Sequence, residues 1–164
     1  MLEIGQDWKV AALIASMCVH FFLEEKMQEK IIEELLILSK KAFSKDEVPI
    51  AAIIVKDNKI IAKAYNTRNK SKITIDHAEI KAITKANKIL KRWILDDCDI
   101  YVTLKPCDMC CCAIKEARMK NIFYLLDTEY QSSLSKNIST NKLNFVNKKE
   151  EYKKILSTFF LNKR

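Results

Sequence analysis

The chain is poor in the residues that usually form tight turns. Its 164 residues include one glycine and two prolines, so most turns must be formed by Asn, Asp, Ser and Lys. Hydrophobic residues make up 49% of the chain and charged residues 30%, a balance typical of globular rather than disordered proteins. At this length a single domain can bury roughly two thirds of its unfolded surface. The sequence shows no internal repeat and no linker, which favours a single folded domain.

A hydrophobic run long enough to cross a membrane is also lacking. The apolar stretch Val10–Leu23 is interrupted by Ser16 and His20, and it is shorter than the ~20 residues that a membrane-spanning helix needs. It does not fit a signal peptide, since a single lysine precedes it and no small-residue cleavage site follows. We expect residues 1–26 to be an accessory extension or to precede the true start at Met27. Residues 27–164 are then the folded domain.

The cysteines do not form a spaced disulfide framework. Four of the six lie within residues 107–112, where disulfide geometry is difficult, so a reducing, cytoplasmic location suits the chain. The net charge is +8, and residues 136–164 contribute eight basic and two acidic side chains to it. This basic end is either a surface that meets phosphates or a solvated lysine-rich helix.

Apolar periodicity predicts alternating strands and helices. The first helix runs from Met27 to about Ser44 and the last from Glu150 to Asn162, with Tyr152, Ile155, Leu156, Phe159 and Phe160 as its apolar face. Between them we predict strands at 48–55, 60–66, 99–104, 121–126 and, as a short fifth strand, 144–147. Two further helices span 77–90, capped by Asp76, and 106–117, with Pro106 at the first position. This order predicts an α/β fold, a three-layer α/β/α sandwich whose mixed sheet of about five strands starts with an N-terminal hairpin.

Cys107 and Cys110 have the spacing of a metal-binding pair at the start of a helix. Their sulfurs can converge on one ion, and a helix amino terminus favours thiolates. His77 also begins a helix that follows a strand, so it is a candidate third ligand. Three protein ligands and an open fourth position form the pattern of catalytic zinc. The alternative is a structural Cys₃His or Cys₂His₂ site that uses Cys111, Cys112 or His20.

Glu79 favours catalysis over a structural site. It lies two residues after His77, where it could take a proton from a metal-activated water and return it to the substrate. His77 and Cys107 are also far apart in the sequence, with a strand between them, whereas structural sites usually use closely spaced pairs. We interpret Cys18, Cys98, Cys111 and Cys112 as small buried side chains that fill the core.

The sequences DHAE at 76–79 and PCDMC at 106–110 resemble the signature of the zinc deaminases. From about Met27 to Arg164 the chain is similar to the cytidine deaminase-like superfamily and, within it, to the bacterial tRNA-specific adenosine deaminases. The resemblance implies a single zinc deaminase domain at 27–164, a Zn²⁺ cofactor held by His77, Cys107 and Cys110, a proton shuttle at Glu79, and Asn66 as a residue that binds the nucleoside. It also implies hydrolytic deamination of the wobble adenosine of a tRNA anticodon to inosine, and a homodimer that binds the tRNA anticodon arm.

The chain departs from the family pattern at three places. Lys105 replaces a usual Glu, Cys111 and Cys112 replace small residues, and residues 125–131 lack the family's glycine, which leaves the substrate-facing position to Asp127 or Thr128. HAE with PCxxC also occurs in deaminases of free guanine, cytosine or nucleosides. A second alternative is a catalytically idle RNA-binding relative, although the presence of Glu79 argues against it.

Overall fold

The sheet is mixed and has five strands. The structure is a computed structural model that describes residues 7–128 and 140–163. The strands are β1 (Ala51–Lys56), β2 (Lys59–Tyr65), β3 (Asp99–Leu104), β4 (Asn121–Leu126) and β5 (Thr140–Lys142), in the order β2-β1-β3-β4-β5. The hairpin β1–β2 is antiparallel, β1 is antiparallel to β3, and β3, β4 and β5 are parallel to one another. The predicted α/β fold, with its mixed sheet and N-terminal hairpin, is confirmed.

Five helices accompany the sheet within the described residues. They are α1 (Asp7–Phe43), the short α2 (Arg68–Ser71), α3 (Ala78–Leu90), α4 (Asp108–Glu116) and α5 (Val146–Leu161). Because side chains alternate along a strand, Ala52 and Ile54 of β1 point to one face, where they pack in one cluster with Ala82 of α3 and Ile114 of α4. Ile53, which points to the other face, is also fully buried.

The second helical layer contains α5 and the carboxyl-terminal part of α1. Ile31, Ile32 and Leu35 of α1 are buried, and the rings of Phe43 and Phe159 are in edge contact at 5.9 Å. Ion pairs Lys40–Glu151 and Lys148–Glu33 also join these two helices, at 2.8 and 2.9 Å.

The chain forms two compact units, of which the first ends at Lys30 and the second begins at Ile31. In the first unit, apolar side chains of α1 such as Leu13, Met17 and Phe21 are exposed. No helix among the described residues is long and apolar enough to span a membrane. The domain boundary at Met27 stays a prediction.

Several local predictions were wrong. Residues 144–147 are not a strand: the fifth strand lies at Thr140–Lys142, and α5 already begins at Val146. Phe160 is exposed rather than part of the buried face of α5. Pro106 precedes α4, whose N-cap is Cys107, and His77 rather than Asp76 is the N-cap residue of α3. Cys18 and Cys112 are exposed, whereas Cys98 and Cys111 are buried as expected.

Candidate active site

The first turns of two helices bring His77, Cys107 and Cys110 together. His77 and Cys107 are the N-cap residues of α3 and α4, with extended backbone (φ −70°, ψ 155° and φ −73°, ψ 170°). Both helices pack on the same face of the sheet, so their starts lie side by side. The ligand atoms of the three side chains all lie within 4.8 Å of one another. The structure thus juxtaposes the three residues that the sequence selected.

The separations between these atoms fit a zinc ion. Nδ1 of His77 lies 3.8 Å from Sγ of Cys107 and 3.5 Å from Sγ of Cys110. Tetrahedral zinc bonds of ~2.3 Å to sulfur and ~2.0 Å to nitrogen would place the nitrogen and each sulfur about 3.6 Å apart. The soft sulfur donors with one imidazole also match the ligands that zinc prefers. The positions of the nitrogen and the two sulfurs are therefore compatible with a zinc ion held between them.

The electrostatics of the two thiols are opposite. Hydrogen bonds with Cys110 and with His77 lower the pKa of Cys107 to about 4, which favours its thiolate form. The same contact with Cys107, together with burial, raises the pKa of Cys110. The hydrogen bond to Cys107 raises the pKa of His77. The site therefore holds a proton between closely packed donors, and a cation would replace it.

Glu79 lies in the first turn of α3, two residues from His77. Its side chain is 3% exposed, and burial raises the pKa of its carboxyl group. Within the described residues, its Oε2 atom has no hydrogen-bond partner. A buried carboxyl oxygen without a partner costs stability, and a substrate or water held in the site would supply one.

A cleft of about 450 Å³ opens over this carboxyl group. His77, Ala78 and Glu79 form one wall, and Asn66, the predicted nucleoside-binding residue, lies in another. Val48 and Ile50 add apolar surface. The cleft places two predicted site residues and one metal-ligand candidate around a single space.

The rim of the cleft is basic, which the sequence analysis missed. Arg68 and Lys72 line it from α2 and the residue after α2, and both are exposed. The basic residues between β2 and α3 are visible in the sequence. Their position beside the cleft, however, depends on the path that the chain takes from β2 to α3.

The alternative metal ligands do not join the cluster. Sγ of Cys111 donates a hydrogen bond to the carbonyl oxygen of Pro106 at 3.6 Å, and Cys112 is exposed. The side chain of His20 lies outside the described residues. Among the described side chains, the cluster contains His77, Cys107 and Cys110 alone.

The unusual Lys105 and Asp127 lie near each other at the ends of β3 and β4. The Nζ atom of Lys105 lies 5.7 Å from the ring centre of Tyr124. Asp127 is paired with Lys142, and Lys142 and, more weakly, Lys105 lower the pKa of its carboxyl group. The stretch 125–131, which lacks the family's glycine, lies partly outside the described residues.

Comparison with known sequences identifies similar proteins. A family model described as MafB19-like deaminase matches residues 26–164. A tRNA-specific adenosine deaminase of Rickettsia bellii is 46% identical over 95 residues, which cover 57% of this chain and 66% of that protein. The chain thus aligns with just under two thirds of this relative.

Solved structures are similar as well. A tRNA:A34 deaminase, studied for A-to-I editing at the wobble position of transfer RNA, superposes with a TM-score of 0.68 at 29% identity, covering 77% of this chain and 99% of that one. A guanine deaminase from Bacillus subtilis superposes with a TM-score of 0.58 at 34% identity, covering 68% and 70%. Together, these comparisons confirm the resemblance inferred from DHAE and PCDMC and the cytidine deaminase-like fold.

Proposed function

The chain belongs to the MafB19-like deaminase family, and from this premise we propose that it is a zinc-dependent hydrolase that converts the wobble adenosine of a tRNA anticodon to inosine. The observation that carries the proposal is the buried carboxyl group of Glu79 beside His77 in the cleft. A structural metal site has no use for such a group. Relatives named tRNA-specific adenosine deaminases, such as the Rickettsia protein, support the choice of substrate.

His77, Cys107 and Cys110 would hold the zinc ion. When bound, zinc supplies Lewis acidity that lowers the pKa of a water at its open position. Two thiolates reduce the effective charge of the ion, so a nearby base is needed. Glu79 would take one proton from the attacking water and give it to the ring nitrogen, and it would then move the second proton of that water from the new hydroxyl group to the leaving amine. Overall, the oxygen of water bonds to C6 of adenine, the bond from C6 to the amino nitrogen breaks, and ammonia leaves.

Asn66 and the basic rim would bind the substrate. Asn66 is 4% exposed and lines the cleft, where its amide can bond to the nucleoside. Arg68 and Lys72 lie at the same cleft, within reach of the phosphates beside a base that has been flipped out of a loop. A single-stranded anticodon loop suits this arrangement because its bases can be unstacked at low cost.

A deaminase of free guanine or of another base is the second candidate. The solved guanine deaminase, 34% identical, favours it, because hydrolysis of the amino group at C2 of guanine would use the same zinc and carboxylate as hydrolysis at C6 of adenine. The basic rim favours the RNA substrate instead, since a free base has no phosphate to neutralise. The catalytically idle relative is the weakest alternative, because it would not need Glu79.

Assembly and location are further parts of the proposal. We infer from the family resemblance a homodimer in which the partner contributes to the RNA surface. The six free thiols and the tRNA substrate favour the cytoplasm.

The deaminase domain would be residues 27–164. A variant that begins at Met27 should then keep the activity of the full chain, and loss of folding would contradict this boundary.

The zinc-loaded protein tests these alternatives directly. Ammonia release would be measured with an anticodon stem-loop carrying adenosine at the wobble position, the same stem-loop with guanosine there, free adenosine and free guanine. The proposal requires turnover of the first substrate above the others. Turnover of free guanine alone would favour the base deaminase, and no turnover by zinc-loaded protein would favour the idle relative.

A further inference from the structure

A buried glutamate outside the metal cluster accepts hydrogen bonds from two residues that line the cleft, Asn66 and Asn69. We propose that Glu47 is a positioning residue, which fixes the side-chain amide of Asn66 and the basic α2 segment in their places beside the cleft. This inference deepens the proposed function, since it assumes that Asn66 and the basic rim bind the nucleotide. Glu47 itself does not line the cleft, so it would act through these neighbours.

The carboxylate of Glu47 is enclosed and uses both oxygens. Its side chain is 1% exposed. Oε2 accepts hydrogen bonds from Nδ2 of Asn66 and from the backbone N–H of Asn69, both at 3.0 Å, and Oε1 accepts one from the backbone N–H of Lys70 at 2.7 Å. A buried carboxylate is costly unless it is hydrogen-bonded in this way. These contacts hold the side chain of Glu47 in one position, unlike a charged side chain on the surface.

The contact with Asn66 fixes the orientation of an amide. A carboxylate can only accept hydrogen bonds, so the NH₂ group of Asn66 must face Glu47 and the amide oxygen must point elsewhere. The backbone N–H of Asn66 is also held, by the carbonyl oxygen of Ile50 at 2.9 Å. With its backbone and one end of its side chain fixed, Asn66 presents a single pattern of donor and acceptor to the cleft that it lines.

The contacts with Asn69 and Lys70 hold the basic segment. Helix α2 has no side-chain cap from its own N-cap residue, Thr67, and the carboxylate of Glu47 accepts from two N–H groups of its first turn instead. A second bond, from Nδ2 of Asn69 to the carbonyl oxygen of Asp46 at 2.6 Å, joins the same turn to the same stretch of chain. Arg68, at the start of α2, is thereby held at the cleft.

One carboxylate therefore links the two groups that would contact the nucleotide. Replacing Glu47 by Gln keeps the shape of the side chain but leaves one acceptor oxygen instead of two, so one set of N–H partners loses its bond. Where the new NH₂ group faces Asn66, the Asn66 amide has to reverse its orientation, and where it faces Lys70, the first turn of α2 loses its hydrogen bond. Either way, one of the two groups beside the cleft is no longer held in place. Because a hydrogen bond to a charged group is lost, we expect kcat/KM for the anticodon stem-loop to fall about tenfold or more, mainly through KM.

The experiment compares Glu47→Gln with a matched control and with a double variant. Glu34→Gln removes an equal charge from a surface residue paired with Lys63 at 2.9 Å and should leave kcat/KM unchanged. In an Asn66→Ala background, Glu47→Gln should cost much less than it does alone, because its main route of action is gone. An equal cost in both backgrounds would assign Glu47 a general structural role and overturn the proposal.

A second measurement is made on the wild-type protein and does not require Glu47→Gln to fold. The side-chain amide protons of Asn66, assigned by their loss in Asn66→Ala, should exchange with solvent far more slowly than those of the exposed Asn58 in the wild-type protein. Equally fast exchange would overturn the contact with Glu47. Failure of the proposed function looks different: the wild type itself would not deaminate the stem-loop, while the exchange measurement would still report on Glu47.

Discussion

The Sγ atom of Cys110 lies 3.5 Å from Nδ1 of His77, although 33 residues separate them in the chain. This proximity arises because α3 and α4 pack on one face of the sheet and begin side by side. Cys107, at 3.8 Å from the same nitrogen, completes a donor set of zinc-like dimensions. The testable consequences begin at this cluster.

Cys110→Ser should abolish stoichiometric zinc binding, because it removes one of three ligands. The protein should also lose the stabilisation that zinc provides when bound to the folded state. Metal content by mass spectrometry and thermal unfolding with and without a chelator measure both effects. Cys112→Ser is the matched control, since Cys112 is exposed and two residues away. Retention of one zinc per chain by Cys110→Ser would contradict the assignment of this ligand.

Glu79→Gln should lower kcat on the anticodon stem-loop by about 100-fold or more, the usual contribution of a general acid–base group. The amide has the shape of the carboxyl group but cannot carry the proton. Zinc content should stay at the wild-type level, because the predicted ligands are other residues. Near-normal turnover by a zinc-loaded Glu79→Gln protein would show that another group moves the proton.

In the metal-free protein, the burial of Glu79 should make the free energy of unfolding depend on pH. Burial raises the pKa of Glu79 above its ordinary value of 4.5, so the folded state favours the protonated form. The free energy of unfolding of wild type and Glu79→Gln should be similar below pH 4.5, and wild type should become the less stable as the pH rises above it. Urea unfolding from pH 4 to pH 8 measures the difference. A wild type that gains stability over Glu79→Gln with rising pH would reverse the sign and contradict the burial argument.

The cysteines that are not predicted ligands should differ in reactivity. Burial raises the pKa of Cys98 and of Cys111 to about 11, so only about one thiol in a thousand is ionised at pH 8. Cys112 is exposed and should be alkylated quickly in the zinc-loaded protein. Peptide mass spectrometry after a short iodoacetamide pulse should find Cys98 and Cys111 unmodified until the protein is unfolded. Modification of Cys98 as fast as Cys112 in folded protein would be inconsistent with its burial.

Charge at the cleft rim should govern RNA affinity more than the end of α5 does. Nζ of Lys163 is already paired with Oδ2 of Asp46 at 2.6 Å, so its charge is partly neutralised within the protein. Lys72→Ala should weaken binding of the anticodon stem-loop and reduce the salt slope of log K by about one. Lys88→Ala, on the exposed surface of α3, is the control with the same charge change. Equal effects of both variants would mean that net charge, and not the rim, binds the RNA.

The site could be predicted from sequence where a residue type is tied to one chemistry. His77 and Cys107 lie at the starts of the two predicted helices and Cys110 lies in the first turn of the second, so their convergence followed from the predicted order of elements. Glu47 could not be found in this way. A glutamate before Val-Pro reads as a surface charge, and its partners are 19 to 23 residues away, on the far side of the hairpin.

Errors in the fold arose where local signals were weak. Strand β5 consists of Thr140, Asn141 and Lys142, which are partly or fully exposed and lack the apolar pattern by which strands are recognised. The strand was predicted at 144–147 because Phe145 and Val146 are apolar, but Val146 is the first residue of α5. Asp76 has a good capping side chain, yet it accepts a hydrogen bond from Thr67 at 3.4 Å, and the cap position falls one residue later.

The central claim is that this site deaminates one adenosine of a tRNA anticodon loop with an oxygen taken from water. The most direct measurement incubates the zinc-loaded protein with an anticodon stem-loop in heavy-oxygen water, digests the RNA and analyses its nucleosides by mass spectrometry. The account predicts inosine at the wobble position alone, with heavy oxygen at C6, in wild type and not in Glu79→Gln. Unchanged adenosine at that position after reaction with zinc-loaded wild type would contradict it.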